Sequence, residues 1–176
     1  MFSKVGKFFL VLLLASIALS TLHAEDNFDI SFFVGTGTKE WPEDGVSFTY
    51  GMNFGLTRHM ELSIGGLSSL VPFFDKNMIY SEFSFSLMGP RSRGSKVAGN
   101  GINMLLSVGG FYDFYDKGAG AYLGFTPLTV GNPVTGKRDR MFKINAGYDF
   151  VNNKAFVFFS LFVFDIYVRG TWRDYY

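Results

Sequence analysis

Cysteine is absent from the chain, which excludes disulfides and also excludes a lipid anchor on a processed N-terminal cysteine. Also missing is an apolar run of the roughly 20 residues that a membrane-spanning helix requires; the longest, Phe8 to about Leu19, is too short. Histidine is nearly absent: of the two in the chain, His59 alone lies beyond the first 24 residues. A dominant charge is lacking too. Without Lys4 and Lys7, 14 basic residues face 15 acidic ones, and a formal charge of −1 gives no bulk field for nucleic acid. Nothing has the spacing of a metal-ligand cluster, a phosphate-cradling glycine loop or a catalytic carboxylate pair, so no cofactor is expected.

What the N-terminus does hold is Lys4 and Lys7 ahead of the apolar run, then small and polar residues ending at Ala24. That is the layout of a secretory signal peptide, residues 1–24, removed before a single domain at residues 25–176. The cleavage box Leu22-His23-Ala24 lacks the small residue usual three positions before the cut.

The domain is rich in aromatics, 19% of the chain, and in glycine, with 21 residues, which describes a β protein. VSFTYGMNFGLT, Val46 to Thr57, alternates without exception: Val46, Phe48, Tyr50, Met52, Phe54 and Leu56 on one face, small or polar residues on the other. The same period of two runs through Phe28–Gly35, Met60–Gly65, Ile79–Leu87, Ile102–Gly109 and Phe142–Phe150. With Gly120–Val130 and the Phe-rich stretch from Ala155, eight strands are predicted. Seven connectors rich in turn residues imply consecutive antiparallel hairpins.

The two faces separate the possible environments. A soluble sheet carries solvated Lys, Glu and Asp on its polar face, whereas here that face is largely Ser, Thr, Gly and Asn. The apolar face is too bulky for the interior of an eight-stranded barrel and suits lipid, and segments of about 10 to 12 residues fit a tilted membrane strand. The expected fold is therefore all-β, an eight-stranded antiparallel up-and-down transmembrane β-barrel following a cleaved signal peptide. A secreted or periplasmic soluble barrel, binding a hydrophobic ligand among inward-facing Phe residues, is the alternative.

The signal peptide, the eight alternating segments, the unit YGMNFGLTRHMELSIGG and the aromatic C-terminus resemble the small eight-stranded outer-membrane barrels, the group of OmpX, OmpW, opacity proteins and the OmpA membrane domain. The resemblance implies a monomer in the outer membrane, with outer-membrane lipids and the barrel-assembly machinery as partners. It implies that Val168, Gly170, Trp172 and Tyr176 form the assembly signal, although Asp174 stands where that signal has an apolar residue. It also places both termini at the periplasmic side. Hairpin parity then gathers Arg58, Arg91, Arg93, Lys96, Lys137, Arg138 and Arg140 on the connectors of that rim, where anionic head groups would attract them.

Inside, Glu61, Glu82, Lys143, Asp149, Asp165 and Arg169 are expected to pair as a salt-bridged plug, because an unpaired buried charge costs several kcal/mol. A structural or interaction role is thus expected, with at most a narrow path for small apolar solutes. Pro127 removes one ladder donor and predicts a bulge or the end of the strand, or else a weak point in the wall where an apolar solute could pass sideways. His59 lies in the tight turn LTRHM, so no enzyme is expected. Both faces of Ala155 to Phe164 are apolar, and Phe159 and Leu161 are expected to fill the upper lumen.

Overall fold

The computed structural model of the protein describes residues 29–39, 45–57, 59–70, 76–88, 103–131 and 138–170; for residues 131, 138, 167, 169 and 170 it describes the backbone alone. The signal peptide expected at residues 1–24 lies outside these residues.

Eight strands follow in order: β1 Asp29–Thr38, β2 Ser47–Gly55, β3 Met60–Ser69, β4 Asn77–Ser86, β5 Asn103–Asp113, β6 Ala119–Gly131, β7 Arg138–Asp149 and β8 Lys154–Gly170. Each pairs antiparallel with the next, and β1 pairs with β8, so the sheet closes as an up-and-down barrel. Closure leaves no strand edge unpaired. As parity requires, the connectors after β1, β3, β5 and β7 share one end, and those after β2, β4 and β6 share the other with the chain ends.

Alternation decides which side chains go inside. Ser31, Asn53, Ser63, Ser84, Ser107 and Asn145 are buried in the lumen, while Phe32, Ile64, Ile79, Leu106, Leu123 and Phe164 are exposed on the outer wall. The bulky faces therefore point outward, as the sequence predicts. Two tight turns are capped by the aspartates that end their strands: Asp113 Oδ1 accepts from the Tyr115 and Asp116 amides at 2.9 and 3.2 Å, and Asp149 Oδ1 from Val151 and Asn152 at 2.9 and 3.0 Å. Lys117 and Asn153 supply the positive φ these turns need.

Regular alternation fails along one line across the wall. In β6 both Thr126 and Thr129 are buried in the lumen, with Pro127 and Leu128 between them; in β7 the pair is Arg140 and Lys143, and in β8 it is Ser160 and Val163. Each of these three neighbouring strands carries one extra residue at the same height. The two flanking ladders, β5–β6 and β8–β1, absorb the excess as register shifts, between Asn103/Leu105 and between Val34/Thr36. Pro127 thus sits in a bulge within a continuous strand. In β8 the irregular residue Phe162 has φ 51°, a costly conformation for an aromatic residue. Gly35 accommodates it, since a Cβ there would lie 2.8 Å from Val163 Cα and 2.9 Å from the Phe162 carbonyl oxygen.

Several expectations are corrected by this line. β7 begins at Arg138, so Arg140 belongs to a strand rather than to a connector. The aromatic residues of β8 that fill the lumen are Phe156 and Phe158; Phe159 and Leu161 lie on the outer side. The expectation for β8 fails because its outer face is also apolar and the inserted residue breaks the count from Asp165 backwards.

Candidate functional site

The lumen is filled in layers, beginning with the rim at the tight turns. Lys39 follows β1, is buried, and ion-pairs with Asp113 and with Asp116, the latter at 2.9 Å. Lys154 approaches Asp116 at 3.6 Å. Burial pushes the Lys39 pKa down, but the hydrogen bonds and charges of Asp113 and Asp116 outweigh it and the net direction is upward. The Lys39 hydrogen bond lowers the Asp116 pKa below the ordinary 3.8. A carboxyl depressed by folding stabilises the fold above its unfolded pKa and loses that contribution as pH falls through the folded one. The stability difference between the parent and Asp116→Asn is therefore expected to shrink between about pH 5 and pH 3. Denaturant midpoints taken across that range check this; a constant difference would contradict it.

Below the rim lies an aromatic layer of Leu67, Met78, Phe111, Tyr122, Phe156 and Phe158, with Tyr80 packed against it. Phe111 meets Phe156 edge-on at 4.4 Å between centroids, and Tyr122 meets Phe158 at 5.0 Å. Glycines make the rings fit: a Cβ on Gly65 would come within 2.6 Å of Phe33 Cζ and 2.8 Å of Tyr80 Cζ, and one on Gly109 within 2.5 Å of Tyr122 Cζ. These glycines belong to the small-residue inner face that the sequence predicts, and there they make room for rings from other strands.

The third layer is ionic. Arg140, from β7, donates to Glu61 Oε1 at 2.5 Å and stands 3.9 Å from Glu82 and 3.8 Å from Asp165. Its guanidinium also lies over the Phe33 ring at 5.7 Å, joining this layer to the aromatic one. Lys143 pairs with Glu82, which also accepts from the Tyr122 hydroxyl at 3.0 Å. Asn53 donates to Asp165 at 2.6 Å and accepts from Ser63 at 2.6 Å. Three carboxylates and two cations from four strands are thus tied by fixed donors. The cavity beside them, lined by Tyr80, Arg140, Lys143 and Asn145 among others, measures about 10 Å³, no more than one water needs.

Of the charges expected in the plug, Glu61, Glu82, Lys143 and Asp165 lie in this layer. Asp149 does not: it is buried at the rim end of β7, where it caps the turn and accepts from the Ala119 amide at 3.3 Å. A terminal strand position next to VNNK is the sequence signal for that role. Arg169 lies in β8, with only its backbone described. Arg140, expected on the basic rim, is the centre of the ionic layer, because the extra residue in β7 turns it inward. The strand also contains Arg138, while Arg58, Arg91, Arg93, Lys96 and Lys137 fall outside the described residues. Val168 and Gly170 are in β8, with Val168 exposed on the outer wall; Trp172 and Tyr176 fall outside the described residues. His59 is exposed in the β2–β3 turn, its amide donating to Thr57 Oγ1 at 3.3 Å. Among the described residues no group of three His, Cys, Asp or Glu is placed to hold a metal.

These features define a closed eight-stranded up-and-down barrel whose lumen, among the described residues, is filled by aromatic and charge-paired side chains and whose exterior is apolar. No family model matches the sequence, and no curated protein does. Among solved structures, the solution NMR structure of de novo designed TMB2.3 is similar at a TM-score of 0.45 and 11% identity, over 83% of this chain and 98% of that one.

Proposed function

We propose that the chain is an outer-membrane β-barrel, exported by a signal peptide cleaved near Ala24, whose sealed body serves a structural or interaction role. The observation that carries this reading is the inverted facing of the wall. Large apolar side chains on all eight strands are exposed outside while Ser, Asn, Glu and Lys are buried within. A soluble monomer rarely exposes contiguous apolar patches beyond a few hundred Å². In lipid the same surface is favourable, and a closed ladder is one of the two backbone arrangements that can span a bilayer. Strands of 9 to 17 residues are long enough for a tilted crossing, which takes about 9 to 11.

The partners that follow are outer-membrane lipids around the wall and the barrel-assembly machinery at the C-terminal strand. A path for small apolar solutes through the lumen is the weaker form of this reading, because a solute would have to part the ionic layer. The alternative, a soluble barrel with a ligand among inward Phe faces, requires the opposite facing. Detergent phase partitioning and heat-modifiable gel mobility test the proposal. The protein is expected in the detergent phase, with a band that shifts on boiling; a species soluble without detergent would overturn it.

A further inference from the structure

Asn145, on β7, is fully buried in the lumen, and among the described residues neither its side-chain nitrogen nor its side-chain oxygen has a hydrogen-bond partner. A primary amide brings two donors and an acceptor, and buried groups of that kind are almost always paired. Asn145 also lines the cavity of about 10 Å³ at the ionic layer, together with Tyr80, Glu82, Arg140, Lys143 and Ser160. Phe33, Phe158 and Val163 complete the lining and bring no polar side-chain group.

Gly124 of β6 makes the arrangement possible. A Cβ there would fall 2.4 Å from Asn145 Oδ1 and 2.8 Å from Lys143 Cε, so the two side chains meet over the glycine. Lys143 carries three ammonium donors, and the Glu82 carboxylate takes one of them. An ammonium with donors to spare and an unpartnered amide thus line the same small cavity.

Whatever sits there must be small, and it must both donate and accept. A cation would serve Asn145 Oδ1 but would stand beside Arg140 and Lys143; an anion would serve the amide nitrogen but would stand beside Glu82. Water is neutral, can donate to Oδ1 while accepting from Lys143, and needs about 10 Å³. We propose that this cavity is a binding site for a single water molecule, held between the Asn145 amide and the Lys143 ammonium, which completes the hydrogen bonding of the ionic layer. The site lies inside the lumen and does not depend on what surrounds the outer wall.

The test is a crystal structure of the detergent-solubilised protein at a resolution that shows ordered water, joined to oxygen-17 relaxation dispersion in solution, which counts long-lived waters and is blind to protein protons. One water is expected within about 3.2 Å of both an Asn145 amide atom and Lys143 Nζ. Asn145→Leu is expected to lower the long-lived count by one while the far-UV circular dichroism persists. A dry cavity, an ion in the water's place, or a count unchanged by Asn145→Leu would overturn the site. So would a direct bond from Asn145 to the hydroxyl of Thr126, which is also buried and without a partner among the described residues. If Asn145→Leu does not fold, the water position in the parent crystal structure decides alone.

Discussion

Arg140→Met is expected to lower the barrel's unfolding free energy by about 3–5 kcal/mol, the cost of removing one partner from a buried ionic cluster. Arg140 is the cation that Glu61, Glu82 and Asp165 share, and the three come from β3, β4 and β8. Its loss therefore affects distant parts of the wall at once. Arg140→Lys is expected to recover only a fraction, because an ammonium is a point donor and lacks the planar fork that reaches more than one carboxylate. Guanidinium titrations of the reconstituted protein, followed by far-UV circular dichroism and gel mobility, give the comparison. A loss under about 1 kcal/mol would mean that the layer behaves like a solvated surface pair.

Phe158→Ala is expected to cost a similar amount, about 3–5 kcal/mol, by the cavity it leaves in a packed interior. Phe158 is 2% exposed and touches both Tyr80 and Tyr122, so the layer cannot close over the gap from one side alone. The two variants separate two seals in series. In planar bilayers Phe158→Ala alone is expected to stay closed, since the ionic layer below it is untouched. Combined with Arg140→Met it is expected to pass ions. Conduction by the single Phe158→Ala variant would show that the ionic layer is no barrier.

Much of this interior is legible from period-two alternation. Glu61, Glu82 and Lys143 adjoin Leu62, Phe83 and Phe142 on the apolar face, so counting from those positions places them inside. Arg140 resists the same count, because alternation carried back from Lys143 points it outward, beside GKRDR residues that read as a connector. One inserted residue, invisible in composition, reverses the answer. Asp165 is expected inward and is buried, whereas Phe159 and Leu161 are expected inward and lie on the outer side: where both faces of a strand are apolar, nothing in the sequence marks which is which. The aromatic layer was hidden for another reason. Tyr80 and Tyr122 occupy positions that read as inner, yet their fit depends on Gly65 and Gly109 of adjacent strands, a cross-strand relation that only the register reveals.

The three supernumerary residues form one compensated frameshift. Deleting Leu128, Met141 and Phe162 together would bring β5–β6, β6–β7 and β8–β1 into step across that line and leave every flanking side chain facing as it does now. Deleting any one alone would slide its strand a residue out of phase with its neighbours. The chain can therefore gain or lose this kink only in concert, and the inward aim of Arg140 is a property of three strands rather than of its own.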